Sequence, residues 1–221
     1  MPVTIARQTL ATTLADLVRI DSVNPALVPG AAGERVIAEA LARRLRQTPG
    51  IEVELQDAGN GRPNVIAVLR GGAGQTLLLS GHIDTIGVAG MGDPFGAHVE
   101  GNRLYGCGAG DMKCGGAAML ALLEAAAHAG DFPGTLVATF VADEEFASIG
   151  TDAICRDIAR RAPDAALVLE STALDIVHAH KGFVWAELDT RGVAPTAAPG
   201  SWASTPSLAW GACWSRSMLR R

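Results

Sequence analysis

Two stretches, residues 135–142 (TLVATFVA) and 165–169 (AALVL), are apolar almost throughout, with no alternating polar face. A strand of that kind needs cover on both sides, which a largely parallel sheet packed between helices provides. Shorter apolar runs at 51–55, 64–69 and 76–79, each bounded by Gly, Pro or Asn, supply further strands. Between them the spacing turns helical. Leu10, Leu14, Leu17 and Val18 share one helix face, and that helix must stop near Asn24–Pro25, because the residue before proline avoids the helical region. A second helix is expected over 33–47, with Val36, Ile37, Ala40, Leu41 and Leu45 in one stripe. The Ala-rich stretch 116–129 is a third, closed by Gly130 and Pro133, and 148–161 is a fourth. The expected fold class is therefore α/β, a layered, mostly parallel sheet with flanking helices.

Composition narrows the partners. With 221 residues, 48% of them hydrophobic, the chain can bury a core. A net charge of −5 argues against a nucleic-acid backbone as the main partner and leaves a small-molecule or protein partner as the default. No run reaches the ~20 apolar residues that span a bilayer, and residues 1–7 lack the basic-then-apolar order of a signal peptide, so a cytoplasmic protein is expected. Cys107, Cys114, Cys155 and Cys213 show no CxxC spacing and read as reduced thiols.

In sheets of this class ligands gather at the carboxyl ends of strands, and those positions carry His82, Asp84, Asp111, Glu144, Glu145 and Glu170. His82 and Asp84, two apart in an extended segment, share a face, so Asp84 can take one ring N–H and leave the other nitrogen for a metal. The plain alternative is a polar strand end with a chance carboxylate. Asp111 stands between Gly106–Cys107–Gly108–Ala109–Gly110 and Gly115–Gly116 and reads either as a helix N-cap or as a carboxylate brought close to a crowded centre. The order Gly-Ala-Gly-Asp-Met-Lys is no phosphate-binding loop, and no GxSxG elbow is present. Glu144 and Glu145 follow a buried run. They are either solvated or divide the labour of ligand and general base. His82, Asp111, Glu145 and Glu170 form a mixed nitrogen and oxygen set suited to Zn²⁺.

The motifs Ser80–Gly81–His82–Ile83–Asp84–Thr85, Tyr105–Gly106–Cys107–Gly108–Ala109–Gly110–Asp111–Met112–Lys113, Asp143–Glu144–Glu145, Glu170–Ser171–Thr172 and Ala179–His180–Lys181–Gly182 resemble the zinc-dependent metallohydrolases. That family includes acetylornithine deacetylase, succinyl-diaminopimelate desuccinylase, aminoacylase and the glutamate carboxypeptidases. The opening Leu17–Val18–Arg19–Ile20–Asp21–Ser22–Val23–Asn24–Pro25 fits it too. The resemblance implies two Zn²⁺, with Co²⁺ as a substitute: His82 and Glu170 on one ion, Asp111 bridging, Glu145 on the other. It further implies Glu144 as general base toward the attacking water, Asp84 as the residue orienting His82, and hydrolysis of the amide of an N-acyl amino acid or small peptide. Cys107, Cys114 and Ser171 stand where the family commonly has Arg, Gly and Pro, and none of these removes a ligand.

The same resemblance sets expectations for the domains. Residues 1–180 are expected to form the N-terminal part of a catalytic domain, and 181–193 the start of a lid and dimerisation domain. Residues 194–221 are an aberrant tail, rich in Pro and Ser yet holding Trp202, Trp210 and Trp214. An offset reading frame through that tail permits His-Gly-Ser, a lid-domain sequence, so a frameshift near Ala194, in the gene or in its reading, is expected; the alternative is a genuine short variant with a novel tail. No histidine is assigned to complete a second zinc: His98, His128, His178 and His180 are read as structural or peripheral. At most one well-formed zinc site, impaired activity, exposed apolar sheet surface and no family-type homodimer are expected. The alternative is a catalytically dead fragment or pseudoenzyme that only binds metal or ligand.

Overall fold

The computed structural model describes residues 4–179 and Gly182. The chain divides into two units, Met1–Asp175 and Ile176–Arg221, and every element below belongs to the first. The lid segment expected at 181–193, apart from Gly182, and the tail expected at 194–221 lie outside the described residues, as do His180, Lys181, Cys213 and the three tail tryptophans.

Helix α1 (Arg7–Val18) ends well before Pro25, and α2 (Arg35–Arg46) buries Ile37, Ala38, Leu41, Ala42 and Leu45, a three-to-four stripe. Val36 lies outside that stripe and is exposed, its place taken by the small Ala38 and Ala42. Strands β1 (Ile51–Asp57) and β2 (Pro63–Arg70) follow, then β3 (Gly72–His82). A small hairpin of β4 (His98–Glu100) and β5 (Arg103–Tyr105) went unforeseen, because each strand is only three residues long and they are almost wholly exposed. Helix α3 (Lys113–Ala129) stops where Gly130 adopts a left-handed conformation, φ +72°, that favours glycine. Strand β6 (Pro133–Val141), helix α4 (Ile149–Arg161) and β7 (Ala165–Val168) complete the fold.

The layered α/β arrangement is the one expected, but the five-stranded sheet, ordered β1-β2-β6-β3-β7, is mixed. β1 and β2 pair antiparallel because a short turn over residues 58–62 joins them, and β2 pairs antiparallel with β6. Parallel pairing is confined to β3 with β6 and β3 with β7. That half matters most, since the three strands end side by side: His82 stands opposite Val141, and Ser80 opposite both Thr139 and Val168.

The main core lies between the sheet and helices α2 and α3, around Leu41, Leu45, Leu79, Met119, Leu120, Leu123 and Phe140. β7 corrects the expectation of a second fully buried strand. It pairs with β3 alone, at the sheet edge, and Leu167 and Val168 are 53% and 59% exposed. An apolar sequence shows that two-sided burial is available to a strand, not which element provides it. No described helix is long and apolar enough to cross a membrane.

Candidate metal centre

The exits of β3, β6 and β7 and the start of α3 converge on one imidazole. Nε2 of His82 lies 3.1 Å from Asp111 Oδ1, 3.7 Å from Glu170 Oε1 and 3.8 Å from Glu144 Oε2. The ring is 1% exposed, whereas Asp111, Glu144 and Glu170 are 67%, 44% and 37% exposed at their side chains. A buried base thus presents one nitrogen to a rim of accessible carboxylates. Two sets of potential ligand atoms close to within 4.8 Å of one another: His82, Glu144 and Glu170, and His82, Asp111 and Glu145. All the ligand candidates named from the sequence therefore meet in one place, and so does Glu144.

The other face of the ring fixes its orientation. Nδ1 of His82 donates to the Asp84 carbonyl oxygen at 2.9 Å, while the Asp84 carboxylate lies 3.5 Å away. The residue expected to orient His82 is Asp84, but the main-chain oxygen makes the shorter contact. The carboxylate of Asp84 is engaged elsewhere. It accepts from the amides of Glu144 and Glu145 at 3.0 and 3.1 Å and from Asn24 Nδ2 at 2.7 Å.

Packing brings Asp111 up to this cluster. His82 N–H donates to Met112 Sδ at 3.1 Å, and the end of the Met112 side chain lies over Gly81, where any added side chain would have to push it aside. Lys113, fully buried, donates from Nζ to the Ile20 carbonyl at 2.7 Å and ties the start of α3 to the segment after α1. Burial lowers its pKa to about 8, partly offset by Cys107 and Asp21. Ser171 Oγ donates to the Gly110 carbonyl, joining the exit of β7 to the same loop.

The electrostatics show a shortage of positive charge. Burial disfavours a charged His82 ring, but the hydrogen bond and charge of Asp84, with Glu170 and Glu144, outweigh it and push the pKa from 6.5 up to about 10. Burial first, then the like charges of Asp111, Asp84 and Glu144, push Glu145 up from 4.5 to about 7 against the pull of His82. Glu170 is raised for the same reasons, with burial foremost and Asp111 and Glu144 as the like charges. Asp84 moves the other way: His82, Asn24 and the Glu144 amide overcome its burial and hold it below the usual carboxylate range. A site that binds extra protons to offset crowded carboxylates is one that a divalent cation fits, and an imidazole with oxygen donors suits zinc.

His98 and His128 make contacts away from the cluster. His98 stacks on Tyr105 with ring centroids 6.4 Å apart, and His128 pairs through Nδ1 with the Glu124 carbonyl. Cys107, Cys114 and Cys155 are free thiols. Sequence reasoning gave no role to Asn24, Glu34, Arg62 or Asp143, all of which stand directly behind the cluster. Asn24 and Asp143 lay inside motifs already singled out. Glu34 and Arg62 carried no local signal, because their contacts span dozens of residues in sequence.

The α/β sheet thus sets a carboxylate-rimmed imidazole at its parallel strand ends, a donor set able to hold a divalent cation. The sequence profile of Peptidase family M20/M25/M40 matches residues 78–205, and the chain belongs to that family. Among its relatives is the succinyl-diaminopimelate desuccinylase of Wolinella succinogenes, 36% identical over 154 residues, covering 67% of this chain and 40% of the relative. The acetylornithine deacetylase of Edwardsiella ictaluri is 37% identical over 139 residues, covering 60% and 35%. The chain therefore spans about two fifths of the length of these relatives. The crystal structure of an M20 family metallo-carboxypeptidase from Sulfolobus solfataricus shares the fold, with a TM-score of 0.62 at 23% identity, over 72% of this chain and 37% of that one. A dinuclear metal-binding M20 peptidase of Bacillus subtilis does so with a TM-score of 0.53 at 18% identity, over 74% and 43%.

Proposed function

We propose that this chain carries the metal-binding half of a zinc-dependent amidohydrolase acting on N-acyl amino acids or small peptides. The observation that carries the reading is the convergence of Asp111, Glu144 and Glu170 on His82 Nε2. His82 and Glu170 would hold one ion, Asp111 would be shared, and Glu145 would serve a second. A bound divalent cation supplies Lewis acidity toward the amide carbonyl and makes water acidic enough to be used as a nucleophile near neutral pH. The chain's own residues do the rest. Glu144, at the accessible rim, takes a proton from the attacking water and passes it to the leaving amine. Asp84, buried, keeps His82 in the tautomer whose Nε2 faces the cleft and holds the amides of Glu144 and Glu145. Desuccinylase and deacetylase relatives support an acyl-amino-acid substrate.

The test pairs zinc content of the purified full chain, by mass spectrometry, with hydrolysis of N-acetyl and N-succinyl amino acids. Glu144→Gln should keep its zinc and lose hydrolysis by roughly 10²–10⁴-fold. Zinc-free protein, or an unchanged rate in the variant, overturns the proposal. A second reading is a domain that binds metal without turnover. It predicts zinc uptake with no hydrolysis by either form. Because no histidine is assigned to complete the second ion's site, at most one tightly held zinc per chain is expected, and two tightly held ions would contradict that expectation.

A further inference from the structure

Behind the metal-facing residues lies a second, largely internal set of polar groups, of which Arg62 alone is partly exposed. Arg62 forks onto Glu34, with Nε donating to Oε2 at 2.9 Å and Nη2 to Oε1, and its Nη1 donates to Asp143 Oδ1 at 2.5 Å. The same Asp143 oxygen accepts from Asn24 Nδ2 at 3.0 Å, and the other hydrogen of that amide goes to Asp84 Oδ2 at 2.7 Å. Glu34, Asn24 and Asp143 are at most 2% exposed. Asn24 is held so that its amide cannot turn over: its own Oδ1 accepts from the Ala26 amide at 2.9 Å, and its main-chain N–H donates to the Thr85 carbonyl at 2.9 Å. A flipped side chain would face two carboxylates with an oxygen.

The position of Asp143 gives this set a consequence. Its φ is +62°, a left-handed conformation that residues with side chains seldom adopt and that Asp tolerates better than most. Glu34 Oε1 receives its amide at 3.3 Å, and its carbonyl accepts from the Ser148 amide at 2.6 Å. The left-handed turn sends the next two amides, those of Glu144 and Glu145, onto Asp84. Buried ion pairs of this kind are weak stabilisers, because desolvation offsets their attraction, and their constant geometry is the more informative property.

We propose that Asn24, Glu34, Arg62 and Asp143 are positioning residues that aim Glu144 and Glu145 at the metal centre, through the Asp143 turn on one side and Asp84 on the other. The proposal rests on the metal-centre reading above and adds to it the residues that set its geometry. Asn24 is the joint, since one side-chain amide holds both carboxylates. Arg62 is the clamp, since only a planar fork reaches Glu34 twice and Asp143 once.

The test uses the full chain and the variants Asn24→Ala, Arg62→Lys and Arg62→Met, with three readouts. Zinc affinity is measured by competition with a chromophoric chelator, the visible spectrum is recorded with Co²⁺, and amide hydrogen exchange is followed without metal. Asn24→Ala and Arg62→Met should weaken zinc binding by about 10–100-fold and change the Co²⁺ spectrum. Arg62→Lys, which keeps the charge and loses the fork, should fall between them and the parent chain. Exchange should quicken at the amides of Glu144 and Glu145 while the α3 amides keep their protection. Zinc affinity and Co²⁺ spectrum equal to those of the parent, with protection lost evenly through the domain, would assign the network to general stability and overturn the proposal. If Arg62→Met does not fold, Asn24→Ala and Arg62→Lys decide the matter. If the parent chain itself takes up no zinc, the metal reading fails, and exchange at residues 144 and 145 alone decides whether the network holds the turn.

Discussion

Two adjacent glycines at the start of α3 should respond in opposite ways to the same substitution. A methyl group on Gly116 meets only Leu17 Cδ1 at 3.8 Å and Phe140 Cε1 at 4.0 Å, ordinary contact distances. Gly116→Ala then gains helix propensity at no steric cost, about 1 kcal/mol. On Gly115 the same methyl lies 3.0 Å from Leu169 Cβ and closer still to the Leu169 main-chain oxygen. Carbon atoms prefer roughly 3.5–4.0 Å, so α3 and the exit of β7 must part by about 0.5–1 Å. Met112 also crowds the position, but its thioether end can swing aside. The Leu169 carbonyl cannot, because Leu169 N–H is bonded to the Ser80 carbonyl at 2.9 Å. Overpacking of this order costs about 3 kcal/mol at the upper end, leaving a net loss of about 2 kcal/mol after the propensity gain. At roughly 2–4 °C per kcal/mol, Gly116→Ala should melt about 2–4 °C above the parent and Gly115→Ala about 4–8 °C below it. Circular-dichroism melts in chelator measure this directly. Because Glu170 follows Leu169, Gly115→Ala should also weaken zinc binding, whereas Gly116→Ala should not. A Gly115→Ala protein as stable as Gly116→Ala, with parental zinc affinity, refutes the close approach of β7 to α3.

Further outcomes follow from the charge balance, the sheet edge and the tail. Glu145 keeps its proton up to about 7 and His82 up to about 10, where an unfolded chain loses them near 4.5 and 6.5. Across that window the unfolded state binds fewer protons, so metal-free stability falls as pH rises. Asp84, held below the usual range, acts only at lower pH, and its contribution fades on acidification. Melts in chelator at about pH 5, 7 and 9 should therefore descend in order, and zinc, which displaces these protons, should flatten the series; a rising series contradicts the reading. Leu167→Lys and Val168→Lys, placed on the exposed edge strand, should reduce concentration-dependent light scattering, and unchanged scattering shows that β7 is not a sticky edge. The nucleotide sequence behind residues 194–221 should encode His-Gly-Ser and lid-like sequence in the offset frame; an early stop there sinks the frameshift proposal.

That His82, Asp111, Glu144, Glu145 and Glu170 would lie together was legible in the sequence because each follows its own strand or glycine loop, and strand ends are where an α/β sheet gathers ligands. Burial of the 135–142 run was legible too, since a strand with no polar face announces cover on both sides. Antiparallel pairing of β1 and β2 could have been read from the short turn between them, a signal that the alternation of helix and strand concealed. The exposure of Leu167 and Val168 could not. Their sequence is that of a covered strand, and cover depends on which element lies alongside. The atom that holds His82 was missed because residues two apart on a strand share a face for their side chains, which says nothing of the main-chain oxygen that Nδ1 uses.

Glu34 and Arg62 mark the deeper limit. Their partners lie 28 and 81 residues away, and no local pattern announces a contact of that range. The structure divides the site into two layers for a physical reason. In the proposed function Glu144 must trade a proton with water, which needs the exposure that it shares with Asp111 and Glu170. An exposed side chain on a loop holds its direction poorly, so direction must come from groups that cannot move. His82, Asp84, Asn24, Asp143 and Glu34 are buried and meet nearly every polar requirement among themselves and Arg62, which makes them costly to displace. Short motifs name the accessible layer, since chemistry selects residue types there. The buried layer is selected by mutual fit, and mutual fit becomes visible only when the chain is folded.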